Sequence, residues 1–298
     1  MGQTITQKIL AAHSDRSEVA PGEIIDVRVD RILVNELSAM VAIKEFKRAG
    51  LTQILHPERV IVVPDHFMPA KDLRAAEVGK EVRAFVKEHK IEHYFEIGDM
   101  GIEHLVVPEH GLVVPGDTMI GGDSHTCTHG AFGAFATGVG STDIAAAFAL
   151  GLMWVRVPET IRVDFVGDLL PWVMGKDLIL HLIGEIGVDG ATYCSLEFHG
   201  EVIDALPLAD RITIANMSVE AGAKNGIFHA DEKVLDYVRK RSKDQPRVYV
   251  SDPDCEYKER LTVDVTDLEP VVALPSSPER IPSPARWFAL RTSEASRS

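Results

Sequence analysis

Cysteine is nearly absent: the 298 residues hold 3, Cys127, Cys194 and Cys255, far apart and in no CxxC pair. That excludes a disulfide scaffold and a zinc ribbon. Each is read first as a small buried residue. Clustered positive charge is also missing. With 31 Lys and Arg against 45 Asp and Glu the net charge is −14, and a nucleic-acid partner, which needs basic clusters to replace phosphate counterions, is excluded. Long apolar runs are missing too. The opening MGQTITQKILAAHSD has neither a charged start followed by an apolar stretch nor the length of a membrane span. Gly2 with Thr6 matches a myristoylation signal only weakly. A soluble, cytoplasmic protein with no membrane partner is the expectation.

What remains is an ordinary globular composition, 45% apolar and 26% charged, long enough for a sizeable core and for two domains. Short apolar runs alternate with amphipathic stretches, the mark of an α/β fold with parallel sheets flanked by helices. The pattern predicts a buried strand over Arg59 to Val63. A helix follows over Lys71 to Lys90, with Leu73, Val78, Val82, Phe85 and Val86 facing inward. A short strand at Met119–Ile120 leads through a Gly-rich turn to a helix over Ser141 to Val155, capped by Ser-Thr-Asp. After Pro158 the theme restarts. Strands are expected at Ile161 to Val166, Ser195 to Ile203 and Arg247 to Val250, with helices near Lys176 to Ile186, from about Leu208, and over Glu232 to Arg241. A polar turn is expected at Lys224-Asn225-Gly226. The restart divides the chain into domains at 1–157 and 158–275. From 276 to 298 the sequence is dense in Ser, Pro and Arg and is expected to be disordered, since it buries too little apolar surface to offset its ordering entropy.

Three motifs fall where α/β proteins place their sites, at the carboxyl ends of buried strands. They are Val63-Pro64-Asp65-His66, Gly101-Ile102-Glu103-His104 and Gly121-Gly122-Asp123-Ser124-His125-Thr126. An Asp beside a His orients the imidazole and tunes its pKa toward acid–base work near neutrality. Gly121 and Gly122 are expected to let the backbone pass close to a ligand. One such pair is usually a solvated turn, and His13, His56, His89, His93, His181 and His199 take that reading; three pairs in one domain favour a site. Asn216 and Glu220, four residues apart, fall on one face of a helix. By spacing alone this is an exposed surface, but a carboxylate among Ala, Val and Met asks for a partner such as a His.

Together these stretches resemble the aconitase superfamily, and within it the large subunits of 3-isopropylmalate dehydratase and homoaconitase. The residues that carry the resemblance are DRILVNELSAMVAIKEF at 30–46, VPDHFMP at 63–69, GIEH at 101–104, PGDTMIGGDSHTCTHGAFGAFATGVGSTD at 115–143 and TIANMSVEAGAKNGIF at 213–228. The resemblance implies aconitase-type N-terminal α/β/α domains with mainly parallel sheets. It implies a hydro-lyase that isomerises a 2-hydroxy di- or tricarboxylate by dehydration and rehydration, isopropylmalate in leucine biosynthesis being the commonest case. By position, Asp65 and His66 match a pair that protonates the departing hydroxyl. His104 and Asp123 match a second pair with Ser124 in the same loop, His125 and Glu220 a third, and Asn216 lies in the environment of the cofactor. That cofactor is a [4Fe-4S] cluster held by three cysteines, with one iron left free to act as a Lewis acid. The implied partners are a small subunit and a small hydroxy-carboxylate.

The sequence departs from the family in three ways. None of Cys127, Cys194 and Cys255 matches a cluster cysteine, since those belong to a third domain with no counterpart here; no metal ligand is assigned in this chain. Met40 stands where relatives often have Gln, which puts one substrate contact in doubt. Beyond Pro275 the resemblance stops, and an Arg/Ser/Pro-rich end is what a frameshift or premature stop in a longer gene produces, a naturally short protein being the alternative. Two other functions stay open. One is a metal-dependent hydrolase with His66, His104, Asp123 and His125 as ligands. The other is a catalytically inactive remnant that needs further chains.

Overall fold

The computed structural model describes residues 2–281. The first half runs α1 (Ile5–Ala12), β1 (Ile24–Arg28), β2 (Arg31–Val34), α2 (Glu36–Arg48), β3 (Val60–Val62), α3 (Leu73–His89), β4 (His93–Tyr94), α4 (Glu103–Glu109), β5 (Thr118–Gly121), β6 (Phe135–Gly138), α5 (Ser141–Leu150) and β7 (Leu152–Arg156). A 3₁₀ segment, Ser124–Phe132, joins β5 to β6. The second half runs β8 (Thr160–Val166), α6 (Gly175–Ile186), β9 (Ser195–His199), α7 (Glu201–Ala205), α8 (Leu208–Met217), β10 (Asn225–Phe228), α9 (Glu232–Arg239) and β11 (Glu259–Asp264). A short 3₁₀ turn, Ser218–Ala221, continues α8. No described helix is long and apolar enough to cross a membrane.

Two parallel sheets result, and the chain is mixed α/β as the resemblance implies. The first has the order β4-β3-β2-β5-β6 and the second β10-β9-β8-β11. Parallel sheets covered on both faces need continuous apolar strands, and β3 and β5 are buried at every position. β1 and β7 pair separately as an antiparallel ribbon. The chain passes from one sheet to the other between Arg156 and Thr160, yet the sheets share packing. Leu33, Ile61 and Val63 belong to one apolar cluster with Ala131, Phe132, Phe165 and Phe198. The 3₁₀ segment is the shared piece: a Cβ on Gly130 would meet the Gly226 carbonyl at 2.0 Å.

Several local expectations are corrected. The helix from Ser141 ends at Leu150, because Gly151 takes a left-handed conformation (φ +65°), and 152–156 form β7 instead. β9 stops at His199 because Gly200 turns at φ +106° into α7. Residues 225–226 are no exposed turn but the start of buried β10, where Asn225 spends its side chain on the Ala136 N–H. Residues 247–250 form no strand, although the Arg247 N–H donates to Pro115 O at 2.8 Å, and β11 was not foreseen. Leu73 does not face inward: it is 85% exposed. The expected tail lies outside the described residues from 282 on. Its first residues, 276–281, make turns against α6, where Glu279 accepts from the Val188 N–H and Ile281 packs on the core.

Candidate active site

The site is built from loops that leave the first sheet at its carboxyl edge. Asp65 and His66 follow β3, Asp123 follows β5 and caps the 3₁₀ segment, and Glu103 and His104 open α4. Asp65 ties two of these pieces together. Its Oδ1 meets His66 Nδ1 at 2.6 Å, and its Oδ2 accepts from the Glu103 N–H at 2.7 Å. His66 therefore keeps Nε2 free, 3.9 Å from Asp123 Oδ2.

Asp123 is the hub. Its Oδ1 meets His104 Nε2 at 3.0 Å and accepts from the His125 N–H at 2.7 Å. The hydrogen bond to His104, then that to His125, holds its carboxyl far below the ordinary carboxylate range. Chiefly through its hydrogen bond to Asp123, and against desolvation, the His125 imidazole is shifted upward. His125 Nε2 faces Glu220 Oε1 at 3.3 Å, and Ser124 Oγ lies 3.2 Å from its Nδ1. Asn216 reaches the same segment by donating to Thr128 Oγ1 at 2.8 Å, whose hydroxyl donates to the His125 carbonyl at 2.6 Å. Asn216 lies in the last turn of α8 and Glu220 sits in the 3₁₀ turn after it, so they share the site without sharing one regular helix. All eight residues singled out in the sequence lie in this corner.

Other groups were missed. Glu103 was quoted in its motif but given no role, although it is only 1% exposed. Its Oε1 accepts from Asn35 Nδ2 at 2.9 Å, its Oε2 has no partner, and burial pushes its carboxyl up to about 8. Glu36, fully buried, holds the Phe67 N–H on one oxygen and leaves the other unpartnered. His129 stands edge-on to His104, ring centroids 5.7 Å apart, and burial keeps it neutral. A signal existed for the two glutamates: carboxylates inside apolar stretches need partners. None existed for His129. The glycines also need a different account. A Cβ on Gly122 would meet Ser38 Cβ at 2.3 Å and one on Gly121 would meet Thr126 Oγ1 at 2.0 Å, so their own neighbours require them. Met40 packs on the core of the first sheet.

Beside this corner lies a cleft of about 840 Å³, which touches it at Gly122 and Ser124 and is walled by Trp154, Tyr193 and Lys224. The Arg156 guanidinium lies 4.3 Å and the Lys224 ammonium 5.2 Å from the centre of the Tyr193 ring. The cleft has room for a small molecule and cations to meet a carboxylate.

The cysteines do not fit an iron–sulfur cluster. Cys127 is buried and donates to the Asn216 carbonyl at 3.3 Å, and desolvation pushes its thiol up to about 12, against the thiolate that a ligand must be. Cys194 lies 3.3 Å from Lys258 Nζ, and Cys255 sits in a turn beside Gly2. The hydrolase ligand set fails as well. Among the described residues, the side chains with atoms within 4.8 Å of one another are Glu36, Asp65 and His66, and His66, Glu103 and Asp123. His104 and His125 belong to neither group.

Residues 7–285 match the family model described as Aconitase family (aconitate hydratase). The chain belongs to the aconitase family. It is 56% identical over 279 residues to a 3-isopropylmalate dehydratase large subunit of Moorella thermoacetica, covering 94% of this chain and 66% of the relative. Similar proteins of the same name occur in Heliobacterium modesticaldum, 55% identical with the same coverage, and in Aquifex aeolicus, 54% identical over 94% of this chain and 65% of the relative. This aconitase-family chain thus spans slightly under two thirds of the length of these three relatives.

Proposed function

We propose that the chain supplies the acid–base half of a hydro-lyase large subunit that isomerises a 2-hydroxy di- or tricarboxylate, 3-isopropylmalate being the first substrate to test. The observation that carries this reading is the meeting of Asp65/His66, His104/Asp123 and His125/Glu220 in one corner of a chain about 55% identical to dehydratase large subunits. Asp65 holds the Nδ1 proton of His66, so Nε2 faces the site; as imidazolium it protonates a departing hydroxyl. Asp123, kept ionised, fixes His104 and the turn that carries His125. His125, kept basic by Asp123 and Glu220, holds a second proton on the same side.

The family also implies a [4Fe-4S] cluster, whose exposed iron would draw on the hydroxyl being lost. The thiolates for it have to come from outside the three cysteines of this chain. A small subunit is the expected partner. Within this reading the chain divides near residue 157, with the acid–base corner built by the first part and completed by Asn216 and Glu220 from the second.

The test is a chimaera in which this chain replaces the matching two thirds of the Moorella large subunit, assayed with that organism's small subunit. Isopropylmalate dehydratase activity above that of a His66→Asn chimaera supports the reading. A folded, cluster-loaded chimaera without activity on isopropylmalate or related hydroxy acids sinks it.

A further inference from the structure

The cleft beside the acid–base corner contains two charges that the fold leaves unpaired. Arg156 closes β7, Tyr193 stands in the loop before β9 and Lys224 in the loop before β10, so three separate pieces of chain meet there. The guanidinium and the ammonium both lie against the Tyr193 ring, and among the described residues neither meets a carboxylate. Other cations of this chain do find one, as Arg162 does in Asp164 and Lys258 in Glu159. Two unpaired cations on one ring make a positive spot in a chain of net charge −14. The acidic groups that line the cleft, Asp26 and Asp143, pair with neither.

The ring between the cations is fixed under strain. Tyr193 has a left-handed backbone (φ +59°), which a residue with a Cβ rarely adopts. Its N–H donates to Gly222 O at 3.1 Å, and the Lys224 N–H donates to Cys194 O at 2.8 Å, so both side chains start from pinned backbone. Strain held by such ties is common where a ligand is clamped. Much of the remaining wall is apolar: Leu150, Leu152 and Trp154 line the cleft and stay exposed. Large apolar side chains left open together ask for an apolar body to cover them.

We propose that this cleft binds a small carboxylate with a branched apolar body, the carboxylate anchored by Arg156 and Lys224 over Tyr193 and the body lying against Leu150, Leu152 and Trp154. Arg offers a planar fork and Lys a point charge, both suited to a carboxylate, and about 840 Å³ is ample room. The same cleft reaches Gly122 and Ser124. On the dehydratase reading, on which this one step rests, the anchored group is a substrate carboxylate held away from His66, and the isopropyl branch is what the apolar wall receives. His66, Asp123 and His125 keep their acid–base roles.

The test is calorimetric titration of the whole chain with 3-isopropylmalate, with 4-methylpentanoate, which has one carboxylate and no hydroxyl, and with the uncharged 4-methylpentanamide. Expected are saturable binding of one isopropylmalate per chain, its displacement by 4-methylpentanoate, and no displacement by the amide at equal concentration. Arg156→Gln and Lys224→Gln should each weaken binding about tenfold or more. Lys224→Arg, which keeps the charge, should bind more tightly than Lys224→Gln, and circular dichroism checks that all three fold. Absence of saturable binding for both acids overturns the proposal. So does an amide that binds as well as the acid, or full-strength binding in either folded Gln variant. Binding of 4-methylpentanoate alone, lost in the Gln variants, supports the anchor and counts against isopropylmalate as the substrate.

Discussion

Two aspartates bracket β5, and their surroundings drive them in opposite directions. At its carboxyl end Asp123 is held far below the ordinary range by hydrogen bonds from His104 and His125. At its amino end Asp117, 5% exposed, is pushed up to about 7, first by burial and then by the charge of Asp30. Asp30 escapes that fate: against burial, hydrogen bonds from His13 and the Thr118 N–H keep its carboxyl low. Both ends therefore contain an aspartate–histidine pair. At the amino end His13 is 2% exposed and its ring is used up, with Ile9 O on Nδ1 and Asp30 on Nε2, each at 2.7 Å. Arg247 closes the group from outside, 3.4 Å from Asp30 and 3.7 Å from Asp117. At the carboxyl end His66 and Asp123 keep atoms free. An Asp–His pair thus marks a site when it has something left to offer, and a structural clasp when it has not.

Substitutions can break that comparison. The largest effect is expected in the chimaera described above: His66→Asn and Asp123→Asn should each lower turnover by about 10² to 10⁴-fold, read in a direct dehydratase assay. His13→Ala should leave turnover within about twofold once corrected for folded fraction. Its cost should instead be stability, about 2–4 kcal/mol by denaturant titration, because it strips Asp30 and the Ile9 carbonyl of a buried donor. If His13→Ala proves harmless to folding, or His66→Asn harmless to turnover, the distinction between clasp and site collapses.

The two ends also differ in how legible they were. The motifs around Asp65, His104 and Asp123 stood out because polar groups with glycines follow apolar strands, and all the residues chosen on that basis meet in one corner. His13 and Asp30 lie 17 positions apart with nothing in either neighbourhood to link them, and Arg247 joins them from another 217 positions on. Such long-range closure leaves no local periodicity. The same reason hid β11, which pairs with β8 along the edge of the second sheet. Residues 225–226, read as a turn because Lys-Asn-Gly is turn chemistry, became a strand because tertiary packing outweighed propensity: Asn225 is fully buried against the first sheet's end. Glycines were under-read as well. Gly151 ends α5 where apolar content alone carried the helix on to Val155.

A pH experiment sharpens the comparison at smaller scale. Asp117 has a folded pKa of about 7 against an ordinary 3.8. Between those values the folded chain binds more protons than the unfolded one, so this residue makes stability fall as pH rises. Asp123 has the opposite sign: its contribution is present above 3.8 and is lost as pH falls through the acid range. Asp117→Asn should therefore flatten the decline in unfolding free energy between about pH 4 and 7. Asp123→Asn should flatten the acid limb and, by removing the hydrogen bond that shifts His125 upward, change the profile above about pH 6.5, while leaving the decline between about pH 4 and 6 in place. Identical profiles for the two variants would mean that the ends of β5 do not differ electrostatically.

The smallest effect is expected at Leu73, where the error lay in phase and not in residue type. The buried face of α3 is Ala75, Val78, Gly79, Val82, Phe85 and Val86, spaced by three and four. At 100° per residue, Leu73 is half a turn away from Val82, on the face opposite the core. The Asp72 cap, whose carboxylate accepts from the Ala75 N–H at 2.8 Å, holds the first turn in that phase. Leu73→Ala should therefore change stability by less than about 0.5 kcal/mol, whereas Val82→Ala on the same helix should cost about 2 kcal/mol or more. Equal losses in a denaturant titration would show that α3 turns its other face to the sheet, and would move the loop that carries His66 with it.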